Sequence, residues 1–582
     1  MVFSVDKIIR INMTDLKSEV TNVPVKYKEM GGRWLTSSII GDEVDPTCHP
    51  LGPNNKLVFA PGIVTGTSAP SSGRLSVGGK SPLTGGIKEA NAGTPFSQML
   101  ARLGVKALVF EGLQKDNKFW VVKVDKDGVS FDSADDYLGK GLHEAYPLAF
   151  KKYGNKVGIA GVGVAGEMRM TNAGICFNDI DNRPSRYAGR GGLGAVMGSK
   201  GVKFLILDDK GTQPVKPIDN NVFNKGRKKL TDALTTHDVT KPGGTLNTYG
   251  TAALVNVINE IGGLPTRNFR EGRFEGAAAI SGEAVAEACK TRGGAGLMGH
   301  PCHPGCIIQC SNVYPREDGT EHVSCIEYES TWAFGANCGI DNLDDIAEMI
   351  WQSNDYGIDT IEAGGAIAVA MDGGLASFGD GKKAIELMKE IKKGTVLGRA
   401  LGCGATTIGN VLGVTRIPAV KGQNMPAYEP RAIKGIGITY ATSTMGADHT
   451  AGYTIAPEVL GVGGSLDPLD TDKSGVARGL QEATAFIDSS GYCLFIAFAV
   501  LDIAEGLEGA VESCNGVLGT SWTVNDVGRI GREVLDVERA FNKAAGFTNA
   551  DDRIPEFMKY EKLPPHNTVF DVSDEELDKV HG

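Results

Sequence analysis

The sequence predicts an α+β protein, with a β-rich N-terminal domain at residues 1–210 followed by two mainly α-helical domains at residues 211–415 and 416–582. Three observations predict this architecture. The chain of 582 residues is too long for one ordinary core. Short β-branched and aromatic runs separated by glycine turns fill its first part. Beyond about residue 210, apolar residues recur at helical spacing.

The strands are expected where apolar runs of five to seven residues end at turn residues. Examples are "KLVFAPG" (56–62), "ALVFEG" (107–112) and "FWVVKV" (119–124). The chain contains 79 glycines, about twice the usual share of ~7%. Such a glycine content is typical of backbone that turns with positive φ or approaches a large ligand closely.

The helices are expected where apolar residues lie three and four positions apart. In "LDDIAEMIWQ" (343–352), Ile346, Met349 and Ile350 form one stripe, and Asp341 is the expected N-cap. Helical patterns continue beyond residue 416, and a glycine-rich stretch at 461–468 interrupts them. The last twenty residues or so are predicted to form a polar tail, and no internal repeat is visible.

Charge and cysteine content exclude several classes of protein. The formal net charge of −11 is spread without basic blocks, which argues against a nucleic-acid partner. The longest apolar run, 492–501, is too short to cross a bilayer. The chain opens without a secretory signal pattern and carries 11 cysteines, so we expect reduced thiols and a cytoplasmic protein.

Two glycine motifs resemble nucleotide-binding loops but lack their context. In "GGKSPLTGG" (78–86), a phosphate loop would need glycine where Arg74 stands, so the motif fails for ATP. "GRGGLG" (189–194) satisfies the dinucleotide pattern. The segment before it, "FNDIDNRPSRYA", is charged and contains proline, unlike a buried parallel strand. We therefore do not expect a dinucleotide fold.

Three cysteines at 302, 306 and 310 in "CHPGCIIQC" indicate a metal centre. Three thiols on one short loop suit an iron–sulfur cluster whose fourth ligand comes from elsewhere in the chain. The alternatives are a zinc site that includes His300 or His303, and three buried thiols that bind nothing. Cys493 is the candidate fourth ligand, and Cys325, Cys338 and Cys403 are its rivals on spacing.

Six motifs in order resemble the tungsten-containing aldehyde:ferredoxin oxidoreductase family, and the CHPGC form is most similar to the bacterial aldehyde oxidoreductase catalytic subunits. These motifs are "SGRLSVGGKSPLTGGIKEANAG" (72–93), "RYAGRGGLGAVMGSK" (186–200), "CHPGCIIQC" (302–310), "EYE" (327–329), "GADH" (446–449) and "DSSGYC" (488–493).

The resemblance implies a tungsten bis-pterin (tungstopterin), a [4Fe-4S] cluster and Mg²⁺, with a twisted β-sheet domain that seats the pterins. It implies that Cys493 joins Cys302, Cys306 and Cys310 around the cluster. Asn91 and Ala188 match the magnesium ligands. The implied pterin contacts are Arg74, Gly93, Gly189, Arg190, Asn354, Ile358, Asp359, Asp488 and Leu494. Asn354 replaces an aspartate of the family motif.

The resemblance also implies the catalytic residues. Glu329 would take a proton from water or from the aldehyde hydrate, His449 would donate a hydrogen bond to the reacting oxygen, and Tyr328 would add a second donor. Asp448, beside His449, could orient the imidazole ring. Without the resemblance, Glu329 would be taken as a surface carboxylate and His449 as a core histidine.

The implied activity is the oxidation of aldehydes to carboxylic acids. Electrons would leave to ferredoxin or to a ferredoxin-like iron–sulfur subunit, alone or with a flavin subunit. Two alternatives remain open. One is a tungstopterin aromatic acyl-CoA reductase subunit with Cys338 or Cys403 on the metal, and the other is a non-catalytic iron–sulfur electron-transfer subunit.

Overall fold

A computed structural model describes residues 5–582, so the first four residues of the predicted first domain lie outside the described part. The N-terminal part contains two six-stranded sheets, in the orders β2-β1-β6-β3-β4-β5 and β8-β7-β12-β9-β10-β11. Its strands are β1 Lys7–Asn12, β2 Lys17–Asn22, β3 Leu57–Pro61, β4 Arg74–Lys80, β5 Ile87–Gly93, β6 Val105–Glu111, β7 Trp120–Asp125, β8 Gly128–Ser133, β9 Gly158–Gly161, β10 Ile175–Asn178, β11 Pro184–Ala188 and β12 Val202–Asp208. Its helices are α1 Gly32–Glu43, α2 Pro95–Arg102, α3 Leu142–Tyr153, α4 Val164–Glu167 and α5 Leu193–Ser199.

The two sheets have the same topology, which is a structural repeat that was not visible in the sequence. Strands β7–β12 take the places that β1–β6 take in the first sheet. Each half has one parallel pair, β1 with β6 and β7 with β12, and the other paired strands are antiparallel. The repeat is not visible in the sequence because a strand pattern specifies which side chains share a face of a sheet. It does not specify the order of the strands.

The N-terminal part is layered. Phe59 and Leu108 belong to a core shared by both sheets and by α2 and α5. Their neighbours Val58 and Val109 face the opposite way and pack with α1. On the second sheet, Ile206 belongs to the core that includes α3. Helices α2 and α5 therefore lie between the sheets, and α1 and α3 cover the outer faces.

The rest of the chain is mainly helical, which confirms the predicted α+β class. The predicted helix at 343–352 is α11, where Ile346, Met349 and Ile350 are buried as expected. Its N-cap is Asn342, which accepts from the backbone of Asp345 at 3.0 Å, so the expectation of Asp341 was wrong by one position. These helices are α6 Asn220–Thr236, α7 Thr245–Tyr249, α8 Leu254–Glu260, α9 Gly282–Arg292, α10 Tyr328–Phe334, α11 Leu343–Tyr356, α12 Thr360–Asp372, α13 Gly381–Lys393, α14 Val396–Gly402, α15 Ala405–Leu412, α16 Lys434–Thr442, α17 Ser474–Ser490, α18 Ile496–Asp502, α19 Ala504–Leu518, α20 Asp526–Ala544, α21 Phe557–Tyr560 and α22 Asp574–Asp578. The remaining strands are β13 Leu297–His300, β14 Ser311–Pro315, β15 Glu321–Val323, β16 Ala419–Val420 and β17 Gln423–Asn424.

The C-terminal segment is not a polar tail. Three of its apolar side chains are at most 2% exposed and pack in the core formed by α8–α16, namely Leu563, Phe570 and Leu577. Each of these residues is next to at least one charged residue, so the composition of the segment did not indicate that it has a buried side. A second helical core joins α6 to α17–α20 and reaches Trp34 of α1 and Cys306. The boundary at residue 415 stays a prediction.

Among residues 5–582, no helix combines the length and the apolar character needed to cross a bilayer.

Candidate active site

Two adjoining cavities lie where the β-rich part meets the helical part. The first, of about 360 Å³, is lined by Cys302, Cys306, Cys310 and Glu329 among others, and we call it the sulfur cavity. The second, of about 290 Å³, is lined by several cationic side chains, and we call it the cation cavity. Arg74, Tyr187, His449 and Phe495 line both cavities and mark their common boundary.

Ser71 connects the two segments that carry the predicted cluster cysteines. Its backbone N–H donates to Gly305 at 2.9 Å, and its hydroxyl accepts from the backbone of Ile307 at 3.2 Å. Its carbonyl accepts from the backbone N–H of Cys493 at 2.8 Å. Ser71 is fully buried and adopts a φ of +50°. Sequence analysis missed this residue, although it directly precedes the first family motif.

The structure brings Cys493 to the loop at 302–310. Nη2 of Arg74 lies 3.1 Å from Sγ of Cys493. The thiol of Cys493 also lies close enough to raise the pKa of Cys310, after burial and the charge of Glu327. A hydrogen bond with Cys306 holds the pKa of Cys302 well below its usual range, although burial acts the other way.

The three rival cysteines differ in position. Cys338 is buried in the helical core, where its sulfur donates to the carbonyl of Ala333 at 3.3 Å. Cys403 follows α14 and lines neither cavity. Cys325 does line the sulfur cavity, and Nη1 of Arg186 lies 3.7 Å from its sulfur. Of the four candidates, Cys493 and Cys325 therefore lie close to the loop, and Cys338 and Cys403 do not line its cavity.

The two histidines of the loop have protein partners. Nε2 of His303 accepts from the backbone of Gly73 at 3.3 Å, and its Nδ1 lies 3.0 Å from the carbonyl of Pro304. His300 lies 2.8 Å from a carboxylate oxygen of Asp181. The ligand atoms of Cys302, His303 and Cys306 do lie within 4.8 Å of one another. A zinc ion there would bind one ring nitrogen and displace the backbone contact at that nitrogen.

Arg74 and Gly93 lie side by side on the antiparallel strands β4 and β5. A Cβ atom on Gly93 would come within 3.0 Å of Sγ of Cys302 and 3.3 Å of Nε of Arg74. Glycine therefore lets the strand approach the sulfur. Nε of Arg74 is buried without a hydrogen-bond partner, so a donor points into the space between the cavities.

Arg190 uses its guanidinium to hold the segment before His449. It donates to the carbonyls of Ala447 at 2.7 Å and Asn424 at 2.6 Å, and its Nε donates to Asp359 at 3.3 Å. Asp359 is also the N-cap of α12. Capping a helix is a structural role that needs no bound ligand. Arg190 lines the cation cavity, and most of its donors are already used by the protein.

Lys88 was missed by sequence analysis. Its side chain is 1% exposed, it lines the cation cavity, and its Nζ lies 3.3 Å from Asp448. Burial raises the pKa of Asp448, but the charges of Lys88 and Arg190 outweigh this effect and hold it well below its usual range. A lysine within a glycine-rich strand was the only signal for it in the sequence.

Asp488 belongs to a buried ionic network at the wall of the cation cavity. Nη1 of Arg33 lies 3.4 Å from Asp488, and the same guanidinium makes two bonds of 2.9 Å to Glu538. Burial and the nearby Glu89 raise the pKa of Asp488 well above its usual range, against the charge of Arg33. Asp488 and Leu494 both line the cavity.

Asn91 and Ala188 occupy corresponding strands of the two halves, β5 and β11. Oδ1 of Asn91 lies 3.4 Å from Nη1 of Arg74, and its side chain lines the cation cavity beside Gly189. Ala188 is fully buried as the last residue of β11. Ala188 itself lines neither cavity, but its neighbours Tyr187 and Gly189 line the cation cavity together with Asn91.

Asn354 and Ile358 do not line either cavity. The amide of Asn354 donates to the carbonyl of Ser324 at 3.2 Å, and its own carbonyl accepts from the Tyr187 hydroxyl at 2.6 Å. Ile358 forms a backbone bridge with Ala173. Both residues therefore lie where the β-rich part contacts the helical part, outside the two cavities that most of the predicted cofactor contacts line.

Glu329 and His449 face each other in the sulfur cavity, with Nε2 of His449 lying 3.4 Å from Oε1 of Glu329. The other oxygen of Glu329 accepts from the backbone of Ala427 at 3.0 Å. Oε1 of Glu329 and Nδ1 of His449 are buried without hydrogen-bond partners. Burial raises the pKa of Glu329 to about 8 and lowers that of His449 to about 4.

Three tyrosines complete the wall around this pair. The hydroxyl of Tyr328 donates to the carbonyl of Ala427 at 2.7 Å, so the backbone already occupies this predicted donor. The hydroxyls of Tyr428 and Tyr453 lie 2.7 Å apart, and both rings line the cavity. A second hydrogen-bond donor to a substrate is therefore available from Tyr328 only if its bond to Ala427 breaks.

Comparison with protein families matches the chain twice. A model described as the N-terminal domain of aldehyde ferredoxin oxidoreductase covers residues 8–209. A model described as domains 2 and 3 of aldehyde ferredoxin oxidoreductase covers residues 225–580.

Whole-chain relatives carry the same name. The tungsten-containing aldehyde ferredoxin oxidoreductase of Pyrococcus abyssi is 36% identical over 96% of this chain and 92% of its own length. The protein of that name from Pyrococcus furiosus has the same identity and coverage. Among solved structures, the active site complex BamBC of benzoyl coenzyme A reductase superposes with a TM-score of 0.80. This match covers 100% of this chain and 93% of that one at 17% identity, so it supports the fold alone.

Proposed function

The chain belongs to the aldehyde ferredoxin oxidoreductase family, and on this premise we propose that it oxidises aldehydes to carboxylic acids with a tungsten bis-pterin, a [4Fe-4S] cluster and Mg²⁺. It is an oxidoreductase, and the family members to which it is 36% identical are named as tungsten-containing. The observation that carries the proposal is the pairing of Glu329 with His449 in the cavity that also holds the cysteine loop.

The donors around the cavities fit the proposed groups. Four thiols suit an iron–sulfur cluster, with Cys302, Cys306, Cys310 and Cys493 as its ligands. The orphaned Nε of Arg74 suits an acceptor placed between cluster and pterin. The backbone carbonyls of Asn91 and Ala188 would hold the magnesium ion, since oxygen ligands suit that ion. The proposed pterin contacts that line the cavities are Arg74, Gly93, Gly189, Arg190, Asp359, Asp488 and Leu494.

The reaction adds the oxygen of one water molecule to the aldehyde carbon and releases two electrons and two protons. When bound, the tungsten centre accepts the electron pair and the cluster passes electrons on one at a time. The remaining tasks fall to the chain: it binds the aldehyde, orients its carbonyl and removes the protons.

Glu329 is proposed as the group that takes a proton from water or from the aldehyde hydrate, at Oε1. This oxygen is free of other partners, while the Ala427 N–H fixes the other one. His449 remains neutral above about pH 4, and in that state one ring nitrogen can donate to the substrate oxygen. Tyr428 and Tyr453 pack around the imidazole and exclude water from this side.

The electron acceptor is proposed to be ferredoxin or a ferredoxin-like iron–sulfur subunit, alone or coupled to a flavin subunit. The exposed Pro304 and Gly305 lie between Cys302 and Cys306, so the cysteine loop reaches the surface. A one-electron carrier could approach the cluster there.

The alternative of an acyl-CoA reductase needs a protein thiolate at the metal. Neither of the thiols considered for it, Cys338 and Cys403, lines the sulfur or the cation cavity. The similarity to the benzoyl coenzyme A reductase complex is one of fold. Aldehyde oxidation therefore remains the better-supported proposal, and a non-catalytic role would leave the Glu329–His449 pair without a purpose.

Elemental analysis and turnover on one sample test the proposal. Anaerobically purified protein should contain one tungsten and about four irons per chain, and it should reduce a viologen dye when an aldehyde is added. Iron without tungsten would support the electron-transfer alternative. Tungsten with no aldehyde-dependent reduction, but with oxidation of a reduced dye by an aromatic acyl-CoA, would support the reductase.

A further inference from the structure

We propose that an apolar pocket beside the sulfur cavity binds the unbranched alkyl tail of the aldehyde, an inference that rests on the proposed function. The pocket measures about 90 Å³ and lies between α17, α18 and α19. We call it the tail pocket. Its lining includes Ala483, Ile487, Ile496, Phe498 and Leu507.

The tail pocket adjoins the catalytic space and shares wall residues with it. Tyr453 and Phe495 line both the tail pocket and the sulfur cavity. A row of aromatic rings leads from one to the other: the centroids of His449 and Tyr453 lie 6.3 Å apart, and those of Tyr453 and Phe498 lie 6.2 Å apart. Phe495 stacks on Phe498 at 5.8 Å. An aldehyde whose carbonyl lies at His449 would therefore direct its tail along this wall.

The chemistry of the lining selects an uncharged tail. None of the lining residues that the structure describes carries a charged side chain. The hydroxyl of Tyr453, at the entrance, is bonded to that of Tyr428. A carboxylate or ammonium group on the tail would lose its hydration there without a partner, which is costly. An alkyl chain would gain by leaving water.

The volume of the pocket selects a narrow tail. An engineered apolar cavity of about 150 Å³ accommodates benzene. The tail pocket, at about 90 Å³, is smaller, so an aromatic ring would need its walls to move. Protein interiors resist such movement because they are closely packed. A straight chain of a few methylenes fits without it.

A series of straight-chain aldehydes tests the inference with tungsten-loaded enzyme. From propanal to hexanal, kcat/KM should rise by up to about fourfold per methylene, which corresponds to ~0.8 kcal/mol for each buried CH₂. Benzaldehyde should fall below hexanal. A parallel calorimetric titration of the product carboxylates should show hexanoate binding more tightly than propanoate.

Variants locate the effect. Ala483→Leu fills the pocket and should flatten both series, with propanal turnover retained. Leu507→Ala enlarges the pocket and should move the optimum to longer chains. Ala288→Leu is the matched control, because Ala288 is a half-buried alanine on α9 that does not line the tail pocket. It should leave the series unchanged.

The outcomes separate this inference from the proposed function. Flat aldehyde and carboxylate series in the wild-type enzyme, with propanal still oxidised, would overturn the tail pocket and leave aldehyde oxidation intact. An Ala483→Leu series as steep as that of wild type would overturn it as well. Loaded enzyme that oxidises no aldehyde of the series would instead contradict the proposed function.

Discussion

At the scale of single residues, the environment of Glu329 and His449 determines which protons they can carry. Both side chains are buried, and burial disfavours the charged form of each. The carboxyl group therefore holds its proton to about pH 8, and the imidazole stays neutral down to about pH 4. Arg190 lowers the pKa of Glu329, while Asp448 and Asp359 raise it.

We expect the rate to rise with pH through the titration of Glu329. A general base acts in its deprotonated form, and burial raises the pKa of this one to about 8, so kcat/KM should increase between neutral pH and pH 9. Glu329→Gln should lower kcat/KM by about 10²–10⁴-fold and abolish the pH dependence. A steady-state pH profile of both proteins checks this. A profile that keeps its slope in Glu329→Gln would assign the titration to another group.

We expect the removal of Cys493 and the removal of Cys325 to have different effects on the iron content of the protein. Cys493→Ala should lower the iron content and the cluster signal in electron paramagnetic resonance, because the fourth ligand is removed. Cys325→Ala is the matched control, since Cys325 lines the sulfur cavity together with the three loop cysteines. It should retain iron. If Cys325→Ala loses the cluster and Cys493→Ala keeps it, the assignment of the fourth ligand is wrong.

At the scale of elements, the site depends on contacts between segments that are distant in sequence. The carbonyl and hydroxyl of Ser71, just before β4, accept from Cys493 and Ile307. Helix α1 contributes Arg33, which meets Glu538 of α20 across 505 residues of chain. Such contacts position β4 and β5 against the helical part, and that arrangement creates the cation cavity.

The ion pair between α1 and α20 is expected to be important for stability. The side chains of Arg33 and Glu538 are 4% and 0% exposed, so Arg33→Met would leave a buried carboxylate unpaired, at a cost of about 3–5 kcal/mol. Thermal unfolding should show a clearly lowered midpoint. Arg529→Met is the control, because the Arg529–Glu533 pair is 48% and 45% exposed, and it should change stability by less than about 1 kcal/mol. Equal midpoints in the two variants would contradict the argument.

At the scale of the whole molecule, the cavities lie where two similar sheets meet the helices. Corresponding strands, β5 and β11, carry Asn91 and Ala188, the two predicted magnesium ligands. A pair of similar pterins on a pair of similar half-domains agrees with this topology. A ligand bound at this junction would contact both the sheets and the helices and would add to the packing that already holds them together.

Cofactor removal should therefore destabilise the protein. A ligand that binds only the folded state stabilises it by about 4 kcal/mol when its concentration is 1,000 times the dissociation constant. Protein expressed without tungsten should unfold several degrees below the loaded protein in a thermal scan. Addition of tungstate to culture medium, with molybdate as the matched control, identifies the metal. Identical midpoints with and without bound cofactor would argue that the cavities are preformed without its help.

The sequence by itself determined the α+β class, because period-2 and period-3.6 patterns follow from local backbone geometry. It also determined the cysteine loop and the family motifs, since these lie in short contiguous segments. Only the tertiary structure decided that Cys493 and Cys325 approach the loop while Cys338 and Cys403 do not. It also placed Asn354 behind the cavities, buried the C-terminal segment, and showed the repeated sheets and the tail pocket. These features arise from packing between segments hundreds of residues apart. The sequence pattern of one segment does not specify which other segment it packs against.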